Sequence, residues 1–201
     1  VERLPEPRVI KTHLPFDMTP VHPEAKVIYV LRNPFDCAVS FYHHTRGFTR
    51  HYDFAEGTFD EYFECFVAGE VAFGDYFENV ESWLAHWDRS NFMFVTYEAM
   101  RAAPERYIED LAAFLGPLLP EPMNSSLLER VLEHSSFDSM SKDQLRWASQ
   151  RPADMPAFVR KGIVGDWINY FSAAQAARLL QRIDASPARH RFEQIWPDIL
   201  G

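Results

Sequence analysis

Three separated stretches set cations beside groups that handle negative charge. In VIKTHLP, residues 9–15, Lys11 and His13 stand two apart. On a strand, that spacing turns both side chains to one face. A histidine there can take a proton near neutral pH, and a neighbouring ammonium can stabilise negative charge as it develops. The competing reading is a solvated lysine beside an ordinary half-buried histidine. In KVIYVLRNPFDCAVS, Arg32 ends the apolar run and Ser40 follows in the next element. A guanidinium offers a planar fork of donors and a serine one hydroxyl, a pair that suits a phosphate. An Arg32 paired with Asp36 or a nearby glutamate, with Ser40 as a packing residue, is the alternative. In VRKGIVGDW, residues 159–167, Arg160 and Lys161 precede Gly162. Glycine lets the backbone approach a ligand, so its N–H can join the two side chains around an anion. A solvated basic turn is the alternative. Without a ligand, most cations of this loop are expected to lack a partner, which would leave it mobile.

Two further stretches carry weaker signals. Tyr97 closes FMFVTY and could contact an adenine edge, pack on its ring, or simply close the core. HSSFDSM, residues 134–140, offers Ser135 and Phe137 among hydroxyl, aromatic and thioether groups.

These residues need elements to hold them. Strand candidates are RVIK (8–11), KVIYVLR (26–32) and FMFVTY (92–97). The second is short, β-branched and continuously apolar, as a buried parallel strand should be. In open α/β sheets, ligands bind beyond the carboxyl ends of strands, where Arg32 and Tyr97 fall. Helical spacing of apolar residues marks 36–45, 58–69, 75–87, 103–116, 124–135 and 172–184. Strands alternating with helices predict an α/β fold, a parallel sheet flanked by helices. Residues 138–169 show no period and contain Pro152, Pro156, Gly162 and Gly165, which predicts a long functional loop.

Composition narrows the classes. The 201 residues are 47% hydrophobic and 15% aromatic, enough for one globular domain over 1–201. A net charge of -9, with 29 acids against 20 lysines and arginines, argues against a general nucleic-acid surface. A local cationic pocket for one small anion remains compatible with it. No apolar run is long enough to span a membrane. Cys37 and Cys65 make no disulfide framework, and no Cys/His cluster has zinc spacing, so no metal is expected. A reducing compartment is the simple reading. The start, VERLPEPRVIK, is polar, contains proline and lacks an initiator Met, so the chain is expected to begin inside a larger protein.

Taken together, KTHLP, YVLRNPFDCAVSFYHH, TYEAM with PERYIEDLAAFLG, SSFDSM and RKGIVGDW resemble the cytosolic sulfotransferase family, in that family's order and over most of the chain. The resemblance implies a cytoplasmic enzyme with a P-loop-NTPase-like sheet. It implies sulfuryl transfer from 3′-phosphoadenosine 5′-phosphosulfate (PAPS) to a small phenol, steroid alcohol or amine, without a metal. It implies His13 as catalytic base and Lys11 near the transferring group. It implies Arg32, Ser40, Arg160, Lys161 and Gly162 at the cofactor's 3′-phosphate, and Tyr97, Ser135 and Phe137 around its adenine. Ser135 stands where threonine is more usual. Phe16, Phe41, His44, Phe48 and Trp147 fall near the acceptor pocket by the same analogy. Two departures stand out. No PKSGTTW-like segment, which in the family cradles the 5′-phosphosulfate, occurs in the 201 residues. The fold is therefore expected without its first strand and loop, as the C-terminal two-thirds of the family's domain, and the chain alone is expected to be inactive. The family's dimer contact is also degenerate, with Ile168, Ser172, Ala173 and Ala177 at its positions. A non-catalytic protein binding 3′-phosphoadenosine nucleotides is the main alternative. A carbohydrate sulfotransferase of the secretory pathway ranks lower, since it usually lacks the RKGxxGDW stretch.

Overall fold

The computed structural model describes residues 7–147 and 157–200. Two strands form its sheet: β1, Val27–Leu31, and β2, Phe92–Thr96. They pair in parallel, Val27 opposite Phe92 through Leu31 opposite Thr96. Parallel pairing demands a crossover. Three helices fill it: α1 (Pro34–Gly47), α2 (Phe59–Ala68) and α3 (Tyr76–Leu84). After β2 come α4 (Tyr97–Ala102), α5 (Pro104–Leu115), α6 (Ser125–Ser135), α7 (Phe137–Lys142), α8 (Gln144–Trp147), α9 (Ala173–Asp184), α10 (Arg189–Ile195) and α11 (Pro197–Leu200).

Local chemistry sets the ends of these elements. The Asn33 side chain accepts from the Asp36 N–H and Pro34 opens α1, a combination that costs no helical hydrogen bond. Thr58 and Glu61 close a capping box on α2, as Ser172 and Gln175 do on α9. Gly69 ends α2 at φ 73°, the left-handed conformation that glycine adopts at least cost.

The core lies between α1, α2, α3, α9 and α10. Phe35, Ala38 and Val39 of α1 pack with Phe63 and Phe66 of α2, Phe77 of α3, Leu179 of α9 and Phe192 of α10. On one sheet face, Tyr29 stacks on Trp83 at 5.1 Å and donates to Asn79 Oδ1 at 2.8 Å. On the other, Ile28 and Val30 are 40% and 58% exposed.

Two expectations need correction. Residues 8–11 form no strand: Val9 and Ile10 are 86% and 61% exposed, and no described strand pairs with them. A strand exists only through its ladder, so β-propensity without a partner gives extended coil. The one-face argument for Lys11 and His13 therefore loses its strand. The supposed loop 138–169 also holds structure, namely most of α7, then α8 and a 3-10 turn at Asp166–Asn169. These elements are too short to show a period. Pro152 and Pro156 lie outside the described residues.

Candidate functional site

Arg32 leaves the carboxyl end of β1 and reaches across the top of the sheet. Its guanidinium lies over the Tyr97 ring, 4.5 Å from the centroid. Its Nη2 donates to the Ile163 carbonyl at 3.0 Å, while its Nε is buried without a hydrogen-bond partner. The alternative pairing with Asp36 is not formed, because the Asp36 carboxylate is turned toward backbone N–H groups. Ser40 lies half-buried further along α1. Burial pushes the Cys37 thiol of the same helix up to about 11, keeping it neutral.

The 160–167 loop closes on this point. Gly162, at φ 64°, approaches Phe137 so closely that a Cβ would come within 2.4 Å of the ring's Cδ2. Ser136 caps α7 by accepting from the Ser139 N–H, which fixes Phe137 in the first turn. Contacts thus join Arg32 to Tyr97, Arg32 to Ile163, and Gly162 to Phe137. Ser135, the last residue of α6, is exposed.

The loop's cations are not free, contrary to expectation. Arg160 Nη2 donates to Asp166 Oδ2 at 2.8 Å, and Lys161 Nζ to Oδ1 at 2.8 Å. Asp166 is only 1% exposed. Burial pushes its carboxyl up, but hydrogen bonds from Lys161, Arg160 and Asn169 outweigh that and hold it at about 2. Asp166, the aspartate of GDW, read only as motif, is the counterion of Arg160 and Lys161.

His13 sits on the extended segment before the short turn at Phe16–Met18. Its carbonyl accepts from Asn79 Nδ2 at 3.1 Å, and the next carbonyl, Leu14, from Trp83 Nε1 at 3.1 Å. Helix α3 therefore holds the segment where no strand does. Partial burial, then the Lys11 charge, lowers the His13 pKa and favours an unprotonated ring at neutral pH. The ring lies 4.5 Å from Phe73, which stacks on Phe41 at 6.1 Å. Phe41 leads to His44 at 5.7 Å, and His44 to Phe48 at 4.2 Å and Phe158 at 6.4 Å. An aromatic path thus runs from His13 to the start of the basic loop. Phe16 is not part of it and packs on Trp83 and His86 instead. The Trp147 side chain lies outside the described residues. Phe73 was missed by the sequence reading; it is the non-glycine residue at positive φ, 70°, among the described residues. Its only sequence cue is the following Gly74.

A family model described as "Sulfotransferase domain" matches residues 1–190. The chain belongs to the sulfotransferase family. Among curated relatives, sulfotransferase 1B1 of Mus musculus is 37% identical over 183 residues, 87% of this chain and 59% of the relative. Sulfotransferase 1A1 of Bos taurus is 36% identical over 204 residues, 94% and 66% of the two. The sulfotransferase chain therefore spans about three fifths of the length of the curated relatives it matches. Its fold is similar to that of mouse sulfotransferase SULT7A1 complexed with PAP, with a TM-score of 0.79 and 29% identity, covering 98% of this chain and 73% of that one. It also resembles retinol dehydratase in complex with androsterone and inactive cofactor PAP, with a TM-score of 0.78 and 26% identity, covering 92% and 56%. Among the described residues no group of acidic, histidine or cysteine side chains could hold a metal, and no helix is long and apolar enough to cross a membrane.

Proposed function

We propose that residues 1–201 form one domain of a cytoplasmic, PAPS-dependent sulfotransferase that grips the 3′-phosphate end of the cofactor and activates the acceptor. The observation that carries the reading is Arg32: its Nε is buried and unpartnered at the carboxyl end of β1, beside Tyr97 and the basic loop. An orphaned guanidinium N–H at that place suits an anion. The close fit of Gly162 on Phe137 brings the Gly162 backbone beside an aromatic ring, as a nucleotide site requires. When bound, PAPS supplies the sulfuryl group.

Arg32, Ser40, Arg160, Lys161 and the Gly162 N–H hold the 3′-phosphate by charge-assisted hydrogen bonds. Tyr97, Ser135 and Phe137 surround the adenine. His13, unprotonated at neutral pH, takes the proton from the acceptor hydroxyl or amine, and the Lys11 ammonium stabilises negative charge beside it. The aromatic path from His13 through Phe73 and Phe41 to Phe48 suits a flat, apolar acceptor such as a phenol or steroid alcohol. Retinol dehydratase, a structural neighbour, is described with androsterone and with retinol. Because the 201 residues hold no PKSGTTW-like segment, they bind the nucleotide without robust turnover when tested alone.

Calorimetry with 3′,5′-adenosine bisphosphate tests the reading. Arg32→Ala and Arg160→Ala should each weaken binding by about tenfold or more, the worth of a charge-assisted contact. Unchanged affinity in both variants overturns the assignment.

A further inference from the structure

One buried carboxylate has no role in the reading above. Asp36, 1% exposed, stands in the first turn of α1. Its Oδ2 accepts from the Gly165 N–H at 2.7 Å and from Asn33 Nδ2 at 3.0 Å; its Oδ1 accepts from the Trp167 N–H at 3.1 Å. Asn33, fully buried, also gives its N–H and its Nδ2 to Glu98 Oε1 at 2.9 and 2.7 Å. Glu98 Oε2 accepts from Trp196 Nε1 at 2.9 Å. One line of hydrogen bonds therefore runs from the end of α10, through α4 and the β1–α1 turn, into the basic loop.

We propose that Asp36 is a positioning residue for the 3′-phosphate grip, an inference that rests on the nucleotide reading. Asp36 fixes the backbone on both sides of Asp166. Asp166 in turn holds Arg160 and Lys161. The two cations are thus aimed through a relay whose fixed end is the turn that also carries Arg32. Three N–H donors and the start of α1 compensate the buried charge. Only a carboxylate serves here. Its two oxygens accept from two diverging backbone N–H groups, whereas an asparagine has one acceptor oxygen and would turn an NH2 toward the other donor.

The test compares Asp36→Asn with the unmutated chain in calorimetry against 3′,5′-adenosine bisphosphate and 5′-AMP. The expected result is a loss of about tenfold for the bisphosphate with 5′-AMP changed by less than about twofold, since the lost interaction acts on the 3′-phosphate. Equal losses for both nucleotides, or no loss, overturn the positioning role alone. No preference for the bisphosphate in the unmutated chain overturns the nucleotide reading and this proposal with it. Should Asp36→Asn fail to fold, amide hydrogen exchange on the unmutated, ligand-free chain decides. Slow exchange at Gly165 and Trp167 supports a loop held in advance; exchange as fast as at exposed loop amides overturns it.

Discussion

Gly162 and Phe137 are in contact at a distance that excludes any side chain on residue 162. The contact locks the basic loop onto the first turn of α7, and the backbone conformation at φ 64° independently strains any residue that carries a Cβ. Gly162→Ala should therefore displace the loop or the ring. We expect 3′,5′-adenosine bisphosphate affinity to fall by at least about tenfold, since strain and a steric clash each cost on the order of 1 kcal/mol or more. Calorimetry reads the loss, and unchanged affinity contradicts it.

His13 is expected to act in its unprotonated form. Burial and the Lys11 charge lower its pKa. In any form of the protein that turns over, the acid limb of the pH profile of kcat/KM should therefore fall below the ordinary histidine range. His13→Gln should lower kcat by about a hundredfold or more, the usual worth of a general base. A limb that persists unchanged in the variant assigns the base elsewhere.

His43 makes stability pH-dependent. Its Nε2 is hydrogen-bonded to the Tyr170 hydroxyl at 2.7 Å, and burial, then the Arg160 charge, lowers its pKa to about 4. A pKa below the unfolded value means the unfolded chain binds more protons in between. The contribution is thus complete above about pH 6.5 and is lost as pH falls toward 4. For a half-exposed ring the effect is on the order of 1 kcal/mol after solvent screening. Denaturation at pH 7 and 4.5 should show a smaller difference in His43→Gln than in the unmutated chain.

Asp166 is the counterion of Arg160 and Lys161, and almost no solvent reaches it. Asp166→Asn leaves two adjacent cations without their partner. The cost should be about 1–3 kcal/mol, less than for a fully buried pair because both cations are partly exposed. Urea denaturation at pH 7 measures it, and a variant as stable as the parent contradicts it. In the unmutated chain this contribution is complete above the ordinary carboxyl value of 3.8 and is lost as pH falls from there through the lowered pKa of about 2.

How much was legible follows from the range of each signal. β1 could be read because its run of β-branched residues is local and its partner is real. RVIK carries a similar local signal, but pairing is long-range, and no described strand meets it. The helices with three or more turns were visible from spacing, whereas α7 has six residues and announces itself only through Ser136. Arg32, Tyr97, Gly162 and Phe137 were singled out from four distant stretches, and contacts in the structure join them pairwise. Asp36 enters the sequence reading as an alternative partner for Arg32; its carboxylate instead serves a loop more than a hundred residues away, while Asn33 caps α1. No spacing rule could show that, since the two ends are brought together only by the tertiary fold. The partners of Arg160 and Lys161 were missed for the opposite reason: Asp166 is close in sequence, but its burial is a tertiary property.

The half-covered sheet has a consequence for solutions of this chain. Among the described residues β1 pairs only with β2, so one edge keeps its N–H and C=O groups open, beneath a face where Ile28 and Val30 meet solvent. An open edge beside apolar surface is a template for another strand. The net charge of -9 that copies share opposes such pairing. That repulsion is screened by salt, with a Debye length of about 10 Å at 0.1 M. Light scattering should therefore rise with ionic strength, and since salt also screens a cationic grip on phosphate, colloidal behaviour and nucleotide affinity both favour a dilute buffer.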